Sequence, residues 1–503
     1  MLEIIQQAIK PHDKYQIEIK LDYELVEDQD THYRISTYIF IPQSLGINRD
    51  TYQKHYFYRD AQSYIRLKTP VISLGDLSEG PHMPLATIGR LIQTENWTQN
   101  TDVNEQVIHN CKLLSAMLKS TLREHINLIY KWVGEVDSEL QIELMVSNLV
   151  EEFLIRNAQI GAGFRAYFPA FNLPQVNREV FSAFTLMDES ISLMIEESGI
   201  EMFQIVSTYF SDPKKTEFLQ RLTNQIEREA DYRSARGFAV LKVGEENEKF
   251  VFRTSVLSKY AASVLYLSTA VSREGRGREQ MIFAAAAGIA MIFATIVAFY
   301  FQRSYGNFTF PVFAALVVGY MFKDRIKEFA RDLFATRLLG GLPDRRIDIK
   351  TLDGNHKLGI LREKVVFVRE KDVPRLVMQA RNKDMFNDLD NDGQGEDIIC
   401  YTKDIVLHAS AFNNAFAGQP KVTGLNDILR YDIRAYLNKM ADPYQRRLSL
   451  IDGRLQTITC HKVYNLNFIT RYRAIQPTKE KYHTRTRLVL TRKGIKRIEE
   501  IST

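Results

Sequence analysis

The sequence predicts an α+β multidomain membrane protein, in which a two-helix transmembrane hairpin joins two cytosolic α+β domains. Three observations predict it. A run of 21 residues without a charge, Met281 to Phe301, lies near the middle of the chain. Stretches with a strand period of two and others with a helical period near 3.6 flank it on both sides. Basic residues cluster at the borders of the apolar region and leave its turn nearly bare.

The bulk composition suits a folded protein. The 503 residues are 45% hydrophobic and 25% charged, with 66 Lys and Arg against 61 Asp and Glu, a net charge of +5. Those averages exclude a disordered chain, a collagen-like fibre and a many-span transporter. Cys111, Cys400 and Cys460 are too few and too far apart for a disulfide framework, so reduced thiols facing a cytosol are expected.

Residues 1–95 read as a β-rich subdomain. Ile17, Ile19, Leu21 and Tyr23 alternate with polar residues, the period of a half-buried strand. Further strands are expected at 32–41 and 64–74. Residues 96–272 read as mainly helical, with Ile108, Cys111, Leu114, Leu118 and Leu122 on one face. Other helices are expected at 137–157, 180–207 and 213–232, and a stalk helix over 252–271 would run into the membrane.

The hairpin occupies 273–323, with spans at about 281–301 and 305–322. A helix of 21 residues is roughly 31 Å long, the thickness of a bilayer's hydrocarbon core. The second uncharged run, Phe308 to Phe322, is shorter and needs a thinner bilayer or extended flanks. Ala286, Ala290, Ala294 and Ala298 recur every fourth residue, and Ala315 and Gly319 repeat that spacing, the pattern of close helix–helix packing in lipid. Arg273, Arg276 and Arg278 precede the first span; Lys323, Arg325, Lys327, Arg331 and Arg337 follow the second; the turn carries only Arg303. The positive-inside rule then places both termini in the cytoplasm and the protein in the cytoplasmic (inner) membrane. The first 14 residues become charged before any signal-peptide core develops, so the first span is expected to act as the insertion signal.

Residues 324–343 read as an amphipathic juxtamembrane helix whose cations, Lys323, Arg325, Lys327 and Arg331, would meet anionic lipid headgroups. Residues 344–503 read as a C-terminal α+β domain, with strands at 346–351, 364–369, 398–408, 448–464 and 484–491 and helices at 372–387 and 424–441. From Met440 to Thr503 there are 14 Lys and Arg against 5 Asp and Glu, a net of +9. Arg471 and Arg473 share one strand face, as do Lys481, Arg485 and Arg487, and these would serve contact with anionic lipid or another polyanion. No motif specific to nucleic acid accompanies them.

Two short stretches resemble known motifs. Asp388, Asp390 and Asp392 alternate before Gly393, with Glu396 beyond, which resembles the calcium loop of EF-hands and of FG-GAP repeats; Ile399 stands where an EF-hand has its bidentate Glu. The resemblance implies a divalent cation as cofactor, and the chain offers no other. Tyr305-Gly306-Asn307-Phe308 resembles the Tyr-Gly-Met-Asn loop of CorA-type magnesium channels, without the methionine.

No P-loop, zincin or nucleophile-elbow motif occurs. The expected function is therefore a membrane-anchored scaffold, sensor or regulator whose cytosolic domains bind a protein partner or anionic lipid. A membrane-attached metal-dependent enzyme using Asp388–Asp397 and an oligomeric two-span channel, built as a homo-oligomer, are the alternatives.

Overall fold

A computed structural model describes residues 5–26, 28–135, 139–274, 276–306, 309–334, 341–382, 395–476 and 482–501. The first half contains β1 (Ile5–Pro11), β2 (Gln16–Glu24), β3 (Thr31–Pro42), α1 (Lys54–Asp60), β4 (Ala61–Leu67), α2 (Leu74–Glu79) and α3 (Pro84–Ile92). The long helices follow: α4 (Thr101–Glu135), α5 (Glu139–Arg165), α6 (Phe168–Phe171), α7 (Arg178–Tyr209), α8 (Lys214–Ala235) and α9 (Glu248–Ala262). Next come β5 (Ser268–Ser272), α10 (Arg276–Tyr305), α11 (Phe310–Phe334), β6 (Arg345–Lys350), β7 (Lys357–Val368), α12 (Arg375–Asn382) and β8 (Glu396–Leu407). The chain closes with α13 (Ala409–Ala415), β9 (Gly424–Asp432), α14 (Arg434–Leu437), β10 (Tyr444–Ile451), β11 (Arg454–His461), β12 (Tyr464–Gln476), β13 (Tyr482–Thr491) and β14 (Gly494–Ile501). It is a mixed α+β protein that divides into two compact units.

The first unit gathers 1–64, 268–411 and 427–503. Its main sheet has eight strands in the order β14-β13-β12-β3-β8-β7-β6-β5. The N-terminal β3 pairs antiparallel with β12 on one side and β8 on the other, so this strand shares a sheet with the C-terminal strands. A second sheet runs β1-β2-β9-β4. Ile17, Ile19, Leu21 and Tyr23 of β2 are all buried, as their alternation requires. A small void between the sheets is lined by Ile19 and Leu21 of β2, Ile35 and Ile39 of β3, Tyr401 of β8, Leu429 of β9 and Phe468 of β12. On the opposite face of the main sheet, Val377 and Ala380 of α12 pack over Tyr38, Phe40, Ile398, Cys400 and Ile469.

This interior also holds charge. Lys403, 2% exposed, places Nζ 2.5 Å from Asp427 Oδ2 and 3.9 Å from Glu363 Oε1. The Tyr23 hydroxyl donates to Asp427 Oδ2 at 3.3 Å, and the Tyr401 hydroxyl to Glu363 Oε1 at 2.5 Å. Burial first, and then these carboxylates, push both phenols well above their usual pKa, so they remain donors.

The second unit, 65–267 with 412–426, is helical. Cys111, Leu114, Leu118 and Leu122 of α4 are buried on the stripe their spacing predicts. Phe164 of α5 and Phe171 stack on Phe184 of α7 at 4.6 and 4.3 Å between ring centroids. Arg165 of α5 holds Asp188 of α7 and Glu229 of α8, and Ser192 donates to Glu229 Oε2 at 2.6 Å. Arg253 of α9 forks onto buried Glu189 of α7 at 2.7 and 3.0 Å. Ion pairs thus tie together helices that are distant in sequence.

Three expectations are corrected. The stalk helix over 252–271 ends at Ala262, and Ser268–Ser272 form β5, because Ile347 and Ile349 of β6 offer an edge to pair with. The helix expected at 424–441 is instead β9 followed by the short α14. Leu425, Ile428 and Leu429 carry a helical spacing, yet six consecutive residues of β9 are buried, and a strand covered on both faces has no alternation to read. The juxtamembrane helix is not a separate element either. Residues 324–334 continue α11 without a break, and 335–340 lie outside the described residues.

Candidate membrane segment and basic cleft

α10 and α11 leave and rejoin the main sheet at neighbouring strands. Ser272 of β5 and Arg346 of β6 are paired directly, so the segment between them begins and ends at one place. The stretch Gln280–Tyr305 is long and apolar enough to cross a membrane, and among the described residues it is the one helix that is. α11 packs against it, with a Cβ built on Gly319 falling 3.4 Å from Val297 Cγ1 and the Arg331 guanidinium 4.4 Å from the Phe283 ring centroid. The two contacts set an antiparallel register.

Side-chain size sorts by face. Ala286 and Ala290 are 0% and 1% exposed, Ala315 and Gly319 are buried, and Ala294 and Ala298 are half-buried. The bulky residues point away: Ile292 is 61% exposed, Phe299 68% and Phe313 63%. An ordinary soluble core has the reverse arrangement, with large apolar groups inside.

At the root of these helices, a cleft of about 800 Å³ opens between α1, the β5–α10 connection and the start of β6. Arg49, Gln53, Lys54 and His55 line one side, Arg273 and Glu274 another, and Leu342, Pro343, Asp344 and Arg345 a third. Among the described residues, its carboxylates Asp344 and Glu274 are engaged within the protein. Asp344 accepts Lys54 Nζ at 2.6 Å, the Tyr58 hydroxyl at 3.1 Å and the Val365 amide at 2.8 Å. Glu274 accepts Arg362 Nε at 3.1 Å. Burial, then Asp344, pushes the Tyr58 hydroxyl well above its usual pKa, which keeps it a donor. Arg345 lies 4.0 Å over the Tyr58 ring centroid. Arg49, Lys54, His55, Arg273 and Arg345 thus bring basic side chains to the cleft from three segments.

No protein-family model matches this chain, and no curated protein gives a significant match.

The basic residues singled out from sequence end in several environments. Lys323 sits 3.7 Å over the Tyr320 ring centroid, Arg325 pairs with Glu328 at 3.1 Å, and Lys327 is exposed. Arg471 is half-buried and Arg473 exposed. Arg487 pairs with Glu499 at 3.4 Å. Arg485 is 1% exposed and donates to the Ala380 carbonyl and to Asn467 Oδ1, both at 3.1 Å. That placement ties α12 to the sheet and takes Arg485 out of reach of an external polyanion, a correction to its expected role. Lys481 lies outside the described residues.

Asp388, Asp390 and Asp392 of the acidic loop also lie outside the described residues, as do Asn307 and Phe308 of the CorA-like turn. Glu396 is described, and its Oε2 accepts Arg381 Nε at 2.6 Å, an internal ion pair. Among the described residues, no group of three or more His, Cys, Asp or Glu side chains could hold a metal ion.

The cleft was not legible in the sequence. Its basic residues come from three chain segments, the first more than 200 residues before the other two, and each basic residue alone resembles an ordinary surface cation.

Proposed function

We propose that this chain is an integral membrane protein in which α10 crosses the bilayer, α11 returns, and both compact units remain in the cytosol to bind a partner. The observation that carries the reading is the inverted sorting of side chains: small residues between the helices, bulky apolar residues facing outward. In water so large an exposed apolar surface is costly, whereas in lipid it is matched to its solvent and close packing of small residues drives pairing.

The pairing of β5 with β6 adds a topological argument. A segment whose ends meet in one sheet crosses a membrane twice or not at all, so a spanning α10 requires α11 to come back. The register limits the depth. Four residues on from Gly319, Lys323 is level with Phe293, four residues back from Val297. Both helices are free of Asp, Glu and Lys together only over 293–305 and 310–322, roughly 20 Å of helix. The bilayer would thin locally around such a pair, with Lys323 and Tyr320 at the headgroup level.

Cell fractionation and labelling test the reading. The full-length chain is expected to pellet with membranes through an alkaline carbonate wash and to dissolve with detergent. Cys460 is exposed and free, so it is a built-in reporter of the C-terminal strands. A membrane-impermeant maleimide added to intact cells should spare Cys460 and label a Tyr305→Cys variant. Recovery in the carbonate supernatant, or labelling of Cys460 from outside, would refute the proposal.

A further inference from the structure

We propose that the β10–β11 hairpin is a membrane-surface arm whose leucine face settles into a layer of anionic lipid headgroups. Among the described residues, β10 and β11 pair only with each other, and every residue of β11 is exposed. Asp452 and Gly453 make the tight turn, with φ of 50° and 75°, and so set the register. Leu450 lies directly opposite Leu455, and Leu448 is two residues from Leu450, so the three side chains share one face. Leu448, Leu450 and Leu455 are 73%, 69% and 74% exposed. A two-stranded ribbon is only marginally stable in water, and bare leucines along one face add to its cost. A surface that covers them stabilises the ribbon.

Charge names the surface. Residues 444–461 hold Arg446, Arg447 and Arg454 against Asp452, a net of +2 by those four, and all three arginines are exposed. Arg446 shares the leucine face, while Arg447 and Arg454 stand on the other. An anionic bilayer surface answers both features: acyl chains lie beneath the leucines, and phosphates surround a ribbon held at headgroup depth.

Position agrees, and this part rests on the membrane reading above. Ser272, Arg346, Arg362, Asp404, Arg34 and Arg473 form one row across the main sheet. From that row β5 runs on toward α10, and the first residue of β12, Tyr464, lies toward the same end of the sheet. Two residues separate β11 from Tyr464, so the hairpin is attached at the end where the chain enters the membrane.

The test uses the full-length protein reconstituted in phosphatidylcholine vesicles with and without phosphatidylglycerol. A nitrobenzoxadiazole probe is placed on Thr457→Cys, which faces Leu448 across the ribbon, in a Cys460→Ser background where Cys111 and Cys400 are buried. A control probe on Asn355→Cys sits in the β6–β7 turn, at the opposite end of the sheet. Nitroxide-bearing lipids are expected to quench the Thr457→Cys probe in anionic vesicles and to leave the control bright. Arg446→Gln/Arg447→Gln should lower the ratio of inserted to free hairpin at least roughly tenfold, and Leu448→Ser/Leu450→Ser should abolish the quenching. If the chain resists carbonate extraction but the Thr457→Cys probe is never quenched, the proposal fails and the membrane reading stands. Equal quenching with and without phosphatidylglycerol would also overturn it. So would disulfide cross-links between Thr457→Cys copies in place of quenching, since a second copy would then cover the leucines. If the chain fractionates as soluble, the membrane reading falls, and quenching on mixing with the same anionic vesicles still supports the arm.

Discussion

Replacing Lys403 with Met is the sharpest test of how the first unit is held together. The ammonium is 2% exposed and lies 2.5 Å from Asp427 Oδ2 and 3.9 Å from Glu363 Oε1, so one cation serves two buried carboxylates. Met keeps the length of the side chain and fills the space between the sheets. What disappears is the charge, leaving Asp427 with the Tyr23 hydroxyl at 3.3 Å as its side-chain donor among the described residues. Breaking a buried pair in this way costs about 3–5 kcal/mol, a large share of the roughly 5–15 kcal/mol that a folded domain has in total. Hydrogen exchange of the detergent-solubilised protein, read by mass spectrometry, measures it. At about 1.4 kcal/mol per factor of ten, amides of β8 and β9 should exchange roughly two to three and a half powers of ten faster in Lys403→Met. The double variant Lys403→Met/Asp427→Asn removes the stranded charge and should recover most of that protection. An exchange rate within threefold of wild type in the single variant would refute the reasoning, as would a double variant no better protected than the single.

Three further outcomes are expected. Arg253→Met strands Glu189, which is 1% exposed, and should expose α9 to limited proteolysis at a loss of roughly 2–3 kcal/mol, whereas Lys249→Met on the same helix should not. Burial lowers the pKa of His109 in α4, so the folded state takes up fewer protons than the unfolded one, and stability is lost as pH falls through the imidazole's ordinary value near 6.5. His109→Gln should flatten the slope of Tm between about pH 5 and pH 7, and an unchanged slope would contradict this. Gly319→Leu meets Val297 and should lower the thermal stability of the helix pair by about 1–3 kcal/mol, while Gly288→Leu, which has open space around its Cβ, should not. Equal effects at the two glycines would show that α10 and α11 do not rely on the described contact.

Legibility followed the range of the physics involved. β2 and the start of α4 could be read because their apolar residues recur at the period of the element that buries them. β9 could not, since a strand covered on both faces buries Asn426 and Asp427 along with Leu425, Ile428 and Leu429, so it carries no period of two and the apolar residues alone fall at a helical spacing. β5 was hidden for another reason: its partner β6 begins 73 residues after it ends, beyond the whole apolar excursion, and no local pattern encodes a partner. Arg485 illustrates the same limit for a site, because the strand period placed it on a face with other cations but could not tell that α12 covers that part of the face.

The sequence by itself determined that this protein carries a helix of membrane length and where its cations border it, since transfer into lipid depends on the composition of one contiguous segment. Tertiary structure alone decided that strands from both ends of the chain form a single sheet, that small residues on α10 and α11 meet while large ones face outward, and that basic residues from three segments converge on one cleft. Those outcomes depend on which surfaces meet across long sequence separations, and contacts of that kind are selected by the packing of the whole fold rather than by any neighbourhood along the chain.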